Sequence, residues 1–369
     1  MSKFSAATRR LLLAGTAAAL ALPAAAQTTK TPKYSNEFLT LGVGARALGM
    51  GKVQVALADN ATAGYWNPAG LVNQAHKYDG VLMHSELFSG VVKNDYGAFS
   101  MPLDDKSAIG ISLIRLGIDD IADTRALINE YNYIDYSKIT YFSVADYAVL
   151  LSYARKIGNV EGLSVGANGK FIYRNIGNFA DAYGFGFDAG LQYNKKGWRT
   201  ALMVRDITTT YNSWSINADE YQKGLTSSNL NDPIPKNSTE ITLPTITLGV
   251  GRRFELPKQF SALVAADIEA TTDGQRNTLV SSSSFNLNPR LGLELGYKNL
   301  VFLRGGAGDY QRITNFENKE KMLGQYSLGA GLAISGLRVD LALSRLAVEK
   351  LGQSSQTNSL IVSLGYGFK

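Results

Sequence analysis

The sequence contains no cysteine in 369 residues. This absence excludes disulfide bonds, CxxC metal sites and covalent haem attachment, so backbone hydrogen bonds and packing must hold the chain together. After Gln27 the sequence also lacks any apolar run near the ~20 residues that a membrane-spanning helix requires. Insertion into a membrane would therefore have to use β-strands closed into a barrel.

Charged residues are sparse, at 18% of the chain, whereas glycine (37), tyrosine (19) and phenylalanine (15) are abundant. This composition is poor for a soluble enzyme and suits a β-rich protein with one face in lipid. The first 26 residues carry three basic and no acidic residues, so the net charge falls from +6 to +3 without them. A chain so close to charge balance gives no reason to expect a nucleic-acid partner.

Residues 1–26 have the layout of a secretory signal peptide. Lys3 and Arg9–Arg10 form a basic start, residues 11–22 form an apolar stretch, and residues 24–26 form a small-residue cleavage site. The apolar stretch is too short and too rich in alanine for a good membrane-spanning helix. We therefore expect an exported protein from which these residues are removed.

Apolar residues alternate with small or polar residues along most of the remaining chain. Between Phe185 and Tyr193 every second side chain is apolar, and the intervening positions are glycine, aspartate and glutamine. Fourteen such segments cover residues 78–88, 92–102, 107–117, 143–156, 162–174, 183–194, 198–208, 241–254, 260–271, 285–297, 300–309, 323–335, 337–348 and 358–368. Their lengths are close to the ~9–11 residues with which a tilted strand crosses an outer membrane, and bacterial barrels require an even number of strands.

The connections between these segments alternate in length. Links after even-numbered segments are brief, such as 195–197 and 298–299, whereas the longest links, 118–142 and 209–240, follow odd-numbered segments. A soluble β-sandwich or β-helix is the alternative, but its exposed face would be charged, and here that face is mostly glycine, serine and alanine. We therefore predict an all-β transmembrane antiparallel β-barrel of about 14 strands, formed by residues 77–369 in the cell outer membrane.

Residues 27–76 do not fit this strand pattern, because they are rich in glycine and keep no regular period. A barrel of about fourteen strands has a lumen too wide for its own side chains to fill, and this segment is the available stopper. We predict that it forms a hatch inside the lumen, with its backbone close to the wall. Arg46 would then need a carboxylate partner, unless it faces periplasmic water, and both possibilities stay open. The candidate partners are Asp188, Asp267, Glu294 and Asp340.

The stretch FLTLGVGARALGMGKVQVALADNATAGYWNPAGL, residues 38–71, resembles the N-terminal signature of the PorV/PorQ family of Bacteroidota outer-membrane proteins. That family is a branch of the FadL superfamily, and residues 162–193 are similar to its middle part. The resemblance implies a FadL-like fourteen-stranded barrel with an Asn-Pro-Ala motif in an internal hatch. The resemblance places Asn67, Pro68 and Ala69 in the hatch, and the predicted hatch residues also include Arg46, Gly49, Gly51 and Gly70.

The sequence offers little support for chemistry. His84 adjoins Ser85, but neighbours on a strand point to opposite faces and cannot pair directly as base and nucleophile. The pairs Asp104–Asp105 and Asp119–Asp120 lie where aspartate commonly supports turns, and no EF-hand spacing occurs. We therefore expect a protein that is not an enzyme and that has no catalytic residues, no cofactor and no metal.

The two longest connections carry aromatic residues among polar ones. Such side chains combine a large contact area with a polar group, as protein–protein hot spots do. They also form the aromatic girdle at a membrane interface, and the sequence leaves both interpretations open. The candidate partner-binding residues are Tyr131, Tyr133, Tyr136, Tyr211, Trp214 and Tyr221.

Two functions from different classes follow. The PorV/PorQ resemblance implies a non-enzymatic component of type IX protein secretion that binds cargo, translocon or attachment proteins through its extracellular loops. The alternative is a FadL-like passive transporter of hydrophobic small molecules, with a hydrophobic ligand or detergent in the lumen. Outer-membrane lipid is a partner in both cases. Few inward positions are apolar, Ile172 and Leu263 among them, so the sequence favours the first hypothesis.

Overall fold

The computed structural model describes residues 35–128, 131, 133–223, 235–314, 320–350 and 353–369. The predicted signal peptide and residues 27–34 of the predicted hatch lie outside these ranges. Most of the described chain after residue 77 forms strands. These are β1 (Tyr78–Leu87), β2 (Val92–Pro102), β3 (Ser107–Asp123), β4 (Thr140–Lys156), β5 (Leu163–Ile176), β6 (Ala180–Lys195), β7 (Trp198–Arg205), β8 (Thr210–Ile216), β9 (Ser238–Thr242), β10 (Thr245–Leu256), β11 (Phe260–Thr271), β12 (Val280–Ser281), β13 (Asn286–Tyr297), β14 (Val301–Thr314), β15 (Glu320–Ile334), β16 (Leu337–Lys350) and β17 (Gln353–Phe368).

The strands form one closed antiparallel sheet. β1 pairs with β2 on one side and with β17 on the other, in register from Tyr78 opposite Phe368 to Glu86 opposite Leu360. Three positions in the barrel each consist of two consecutive strands (β7 with β8, β9 with β10, β11 with β12), so the 17 strands of the described ranges form 14 positions. The predicted antiparallel β-barrel of about 14 strands is confirmed.

The apolar face of the strands points outward, as the alternation predicts. On β13 the outward Leu291 is 61% exposed, whereas the inward neighbours Arg290 and Glu294 are 7% and 4% exposed. β6 and β17 show the same division, with Phe185 and Leu364 outward. In a closed sheet the backbone groups are hydrogen-bonded between neighbouring strands, so no open edge faces the lipid. The apolar side chains on its outer face suit contact with lipid.

The two ends of the barrel differ. One end, the turn rim, carries short turns such as 103–106, 196–197 and 335–336, together with the start of β1 and the end of β17. The opposite end, the loop rim, carries the longer connections, including residues 124–139 and 217–237. This asymmetry agrees with the alternation of connection lengths in the sequence.

The predicted bounds of the two long loops are wrong. β3 continues to Asp123 and β4 begins at Thr140, so the first loop is shorter than 118–142. Within 209–240, residues Thr210–Ile216 and Ser238–Thr242 form strands that pair with each other. Above a bilayer both faces of a strand contact water. Strands therefore keep their backbone hydrogen bonds there without alternating apolar side chains, and this alternation is the signal from which the loop bounds are predicted.

Residues 35–76, which we call the internal segment, lie inside the barrel and are mostly buried. They contain four short helical turns, Glu37–Thr40, Ala45–Gly49, Ala63–Trp66 and Pro68–Asn73. The other short helices of the described ranges are Tyr136–Lys138, Ala218–Lys223 and Pro257–Gln259. No helix in the described part of the chain has the length and hydropathy to cross a bilayer.

Candidate functional site: the filled lumen

One row of inward positions on β1 to β5 is apolar. Met83, Tyr96, Ile114, Ala148 and Ile172 are register partners on β1 to β5, and they form a row across five consecutive strands. All five side chains point inward and are buried. We call this set the apolar row.

The internal segment covers the apolar row with its own apolar side chains. Phe38, Leu39, Tyr65 and Trp66 belong to the same buried cluster as the row. The Tyr65 ring meets the Tyr96 ring edge-on, with 6.4 Å between centroids. The Tyr65 hydroxyl donates to the Leu39 carbonyl oxygen at 2.6 Å, so its polar end is satisfied within the segment.

The opposite side of the wall, on β10 to β16, is charged. Arg46 donates from Nε to Glu294 Oε2 at 2.9 Å and from Nη2 to Glu294 Oε1 at 3.0 Å. Arg304 donates to the same Glu294 at 2.7 Å and to Asp340 at 2.7 Å. Of the four carboxylates considered as partners for Arg46, Glu294 is therefore the one in contact, and Asp59 of the internal segment lies 3.5 Å away.

The neighbouring carboxylates of Glu294 and Asp59 stabilise the charged form of Arg46. Burial by itself lowers the pKa of its guanidinium group, but Glu294 and Asp59 outweigh that effect and raise the pKa above its ordinary value. A bidentate pair of this kind fixes orientation as well as charge. Arg46 therefore ties the helical turn Ala45–Gly49 to the charged wall.

Further polar contacts join the internal segment to the same side. Lys52 Nζ lies 2.7 Å from Asp309, and the backbone N–H groups of Gln54 and Val55 donate to Asp267 at 2.9 and 3.2 Å. Asp267, another candidate partner for Arg46, thus binds backbone instead. The segment is held by charge-assisted contacts on one side of the lumen, and by apolar burial together with hydrogen bonds from wall side chains to its backbone on the other.

Glycines allow the segment to approach the wall at backbone distance. A Cβ atom on Gly306 of β14 would come closer than 3.0 Å to the Gly51 nitrogen and to the Met50 carbonyl carbon. A Cβ on Gly49 would lie 3.1 Å from the Cα of Gly329 on β15. Two backbones can pack this closely only where neither carries a side chain.

The Asn-Pro-Ala motif is a second fixed point, on the other side of the lumen. Asn67 is fully buried and donates to the carbonyl oxygens of Leu191 on β6 and of Val55 at 3.0 and 3.2 Å. Its Oδ1 accepts from the Ala69 N–H at 3.1 Å and so caps the turn that Pro68 begins.

Gly70 completes the motif, because a Cβ there would overlap the Ala58 carbonyl oxygen. The seven predicted hatch residues are not one cluster. They form two contacts with the wall, one around Arg46, Gly49 and Gly51 and one around residues 67–70.

A buried ion cluster lies where the wall is interrupted between β7 and β8. Lys170 Nζ is 2.8 Å from Asp188 and 2.5 Å from Asp206, and all three side chains are nearly inaccessible to solvent. Asp188 was a candidate partner for Arg46 and instead binds Lys170. Lys170 and Asp206 are not among the residues predicted from the sequence, although a lysine at an inward strand position indicates a buried carboxylate partner.

The six aromatic residues considered for partner binding occupy three different environments. Tyr131, Tyr133 and Tyr136 are more than 70% exposed at the loop rim. Tyr211 lies on β8 with its side chain outward beside Phe185, so it is a wall residue and not a loop residue.

The other two aromatic residues pack against the protein. Trp214, also on β8 and not in a loop, donates to Glu240 at 3.1 Å and lies against Arg174. Tyr221 stacks edge-on with Phe179 at the loop rim. The six residues therefore do not form a single binding surface.

Cavities with partly polar linings lie beside the internal segment, among them two of about 290 and 460 Å³. The smaller of these two opens near the turn rim and is lined by Arg46, Glu294, Arg304 and Asp340 among others. The larger lies near the loop rim between the segment and β11, β13 and β14. Within the described ranges, no group of three or more His, Asp or Glu side chains could hold a metal ion.

Several solved structures are similar to this chain over most of its length. The toluene transporter TodX of Pseudomonas putida aligns with a TM-score of 0.60 at 15% identity, over 93% of this chain and 100% of its own. The monoaromatic hydrocarbon channel CymD aligns at 0.56 and 13%, over 88% of this chain and 97% of its own. A FadL homologue of Pseudomonas aeruginosa aligns at 0.52 and 13%, over 89% and 98%.

These identities are low enough that the likeness shows the fold alone, which is FadL-like. No protein-family model matches the chain, and no curated protein matches it.

Proposed function

We propose that this protein is an outer-membrane barrel for the passive, gated passage of small hydrophobic molecules. The observation that carries the proposal is the apolar row on β1 to β5, which lies inside the lumen and is covered by the internal segment. The fold is shared with structures described as toluene and monoaromatic hydrocarbon channels. This ranking reverses the preference drawn from the sequence, because burial places more apolar side chains inward than Ile172 and Leu263 alone.

The asymmetric attachment of the segment suits a gate. On the charged side, Arg46 and Lys52 hold the segment through directional ion pairs. On the apolar side, Phe38, Leu39 and Trp66 make nondirectional contacts that a hydrophobic ligand could replace at little cost. With Arg46, Lys52 and residues 67–70 held at the wall, a shift of the side chains that cover the row would uncover an apolar surface for such a ligand.

On this proposal the loop rim is extracellular and the turn rim faces the periplasm, as in barrels with short periplasmic turns. The protein performs no chemistry and needs no cofactor.

Uptake of radiolabelled toluene by cells that make the protein tests the proposal. Replacing Ile114 with Thr puts a hydroxyl in the apolar row, and we expect reduced uptake. Leu113→Thr is the matched control, because Leu113 is its outward neighbour on β3 and is 51% exposed. Equal toluene uptake by cells that make the wild-type protein, by cells that make either variant and by cells without the protein would reject transport.

A component of type IX protein secretion is the second candidate. Residues 38–71, which resemble the PorV/PorQ signature, favour it, and so do the exposed tyrosines 131, 133 and 136 at the loop rim. Such a barrel would bind cargo, translocon or attachment proteins there. Deleting the gene and measuring surface delivery of cargo with type IX sorting domains separates the candidates, because only this second function predicts that cargo is stranded.

A further inference from the structure

Arg252 places a positive charge on the outer face of the wall. On β10 the even-numbered residues point outward, among them the exposed Leu248, whereas Gly249 and Gly251 face the internal segment. Arg252 belongs to the outward set and lies toward the turn rim. We propose that it is the centre of a site for the phosphate headgroup of an anionic phospholipid, independently of what passes through the barrel.

The outward neighbours of Arg252 are apolar. Val250 and Phe254 flank it on β10, and its register partners are Trp198 on β7 and Val264 on β11. The guanidinium carbon of Arg252 lies 4.8 Å from the centroid of the Trp198 ring and 5.0 Å from that of the Phe254 ring. The two rings attract the guanidinium group but carry no net charge, so they hold the positive charge without neutralising it.

The chain itself supplies no counter-charge to Arg252. Among the described residues, no carboxylate oxygen lies within 4.0 Å of its guanidinium nitrogens. Two outward basic residues toward the loop rim are instead paired, Lys93 with Asp119 at 2.9 Å and Arg115 with Asp95 at 3.1 Å. A charge without a partner on a lipid-facing surface is costly, so Arg252 requires an anion from outside the chain. The phosphate of a lipid headgroup is such an anion.

Two lysines lie beside Arg252 at the turn rim. Lys195 of β6 is the other register partner of Trp198, and Lys196 is the next residue in the chain. Both lysines are exposed, and Lys195 is 3.5 Å from the exposed Glu161, a pair of the kind that contributes little. Because neighbouring strands are about 5 Å apart, the backbones at Lys195 and Arg252 are about 10 Å apart on either side of Trp198. Their long side chains can therefore approach one headgroup together.

The apolar surroundings favour a lipid over an acidic protein as the source of the anion. Phe254, Leu256 and Phe260 lie between Arg252 and the end of its hairpin, and all three are exposed on the outer face. A carboxylate of a water-soluble partner would have to enter this apolar surface to reach the guanidinium group. A phospholipid in the bilayer already carries its phosphate next to apolar side chains.

Quenching of tryptophan fluorescence by brominated lipids tests this inference on the full mature chain. The chain is inserted into phosphatidylcholine vesicles in which an equal fraction of the lipid is brominated phosphatidylglycerol or brominated phosphatidylcholine. Trp198 is exposed on the outer face, and the variant Trp198→Phe gives the background from Trp66 and Trp214. We expect phosphatidylglycerol to quench Trp198 more strongly, with a binding constant at least about fivefold above that of phosphatidylcholine.

Variants assign the preference to the charge of Arg252. Arg252→Gln should lower the preference for phosphatidylglycerol about fivefold, whereas Arg252→Lys keeps the charge and should retain most of it. Arg115→Gln is the matched control with an unchanged preference, because it removes an outward arginine that Asp95 already balances.

Three results would overturn the proposal. The first is equal quenching of Trp198 by the two brominated lipids, and the second is a preference that Arg252→Gln leaves unchanged. The third is loss of the preference when glycerol phosphate or hexaglutamate is added, which would assign the site to a soluble phosphate or to an acidic peptide.

Discussion

Replacing Gly306 with alanine tests the contact between the wall and the internal segment, and replacing the neighbouring Gly305 measures the effect of the same change on the wall alone. Gly306 and Gly305 are neighbours on β14 that face opposite sides of the barrel. A Cβ on Gly306 would overlap the backbone of Met50 and Gly51, whereas a Cβ on Gly305 would have its nearest neighbours, Leu328 Cδ2 and the Ser327 carbonyl oxygen, at 4.0 Å. Gly306→Ala therefore forces either the wall or the segment to move, and Gly305→Ala forces neither.

The size of the effect follows from that geometry. Both atoms in the overlap belong to backbone, which cannot rotate away as a side chain can, so we expect a destabilisation of about 1–3 kcal/mol for Gly306→Ala. Gly305→Ala adds a methyl group on the outward face and should stay within about 0.5 kcal/mol of wild type. Urea titration of both variants in detergent micelles measures the difference in the free energy of unfolding. Equal midpoints for the two variants would refute the close approach of Gly51 to β14.

Two further predictions concern the contacts of the internal segment, and both are measured as free energies of unfolding. Glu294→Gln leaves the buried Arg46 and Arg304 without their shared carboxylate and should cost about 3–5 kcal/mol. Arg46→Met leaves Glu294 paired with Arg304 and should cost about 1–2 kcal/mol. A larger loss for Arg46→Met than for Glu294→Gln would contradict the shared network. Pro68→Ala should cost about 1 kcal/mol or less, because the proline acts mainly by restricting the unfolded chain, and a larger loss would indicate a packing role.

The wall could be predicted from the sequence because its signal is local. Alternation with period two sets which side chains face lipid, and the predicted segment 260–271 coincides with Phe260–Thr271 of β11. Where the polar ends of strands rise above the membrane the alternation fades, so the sequence predicts a loop at Tyr211 and Trp214, which lie on β8.

The pairing inside the lumen could not be predicted, because it depends on how the closed barrel is rotated around the internal segment. Arg46 meets Glu294, 248 residues away in sequence, and no local pattern distinguishes Glu294 from Asp188 or Asp340. Lys170 and Asp206 come together only because the wall is interrupted between β7 and β8. Such contacts follow from sheet closure and stagger, which a single sequence does not display.

The central claim is that the internal segment closes a lumen that the wall alone leaves open. Planar-bilayer conductance of the full mature chain and of a chain lacking residues 27–72 tests it most directly. We predict little conductance for the full chain and a large, steady ion conductance for the shortened one, because inward side chains cannot fill a barrel with 14 strand positions. Equal conductance of the two chains, with the shortened one folded and inserted, would contradict the account.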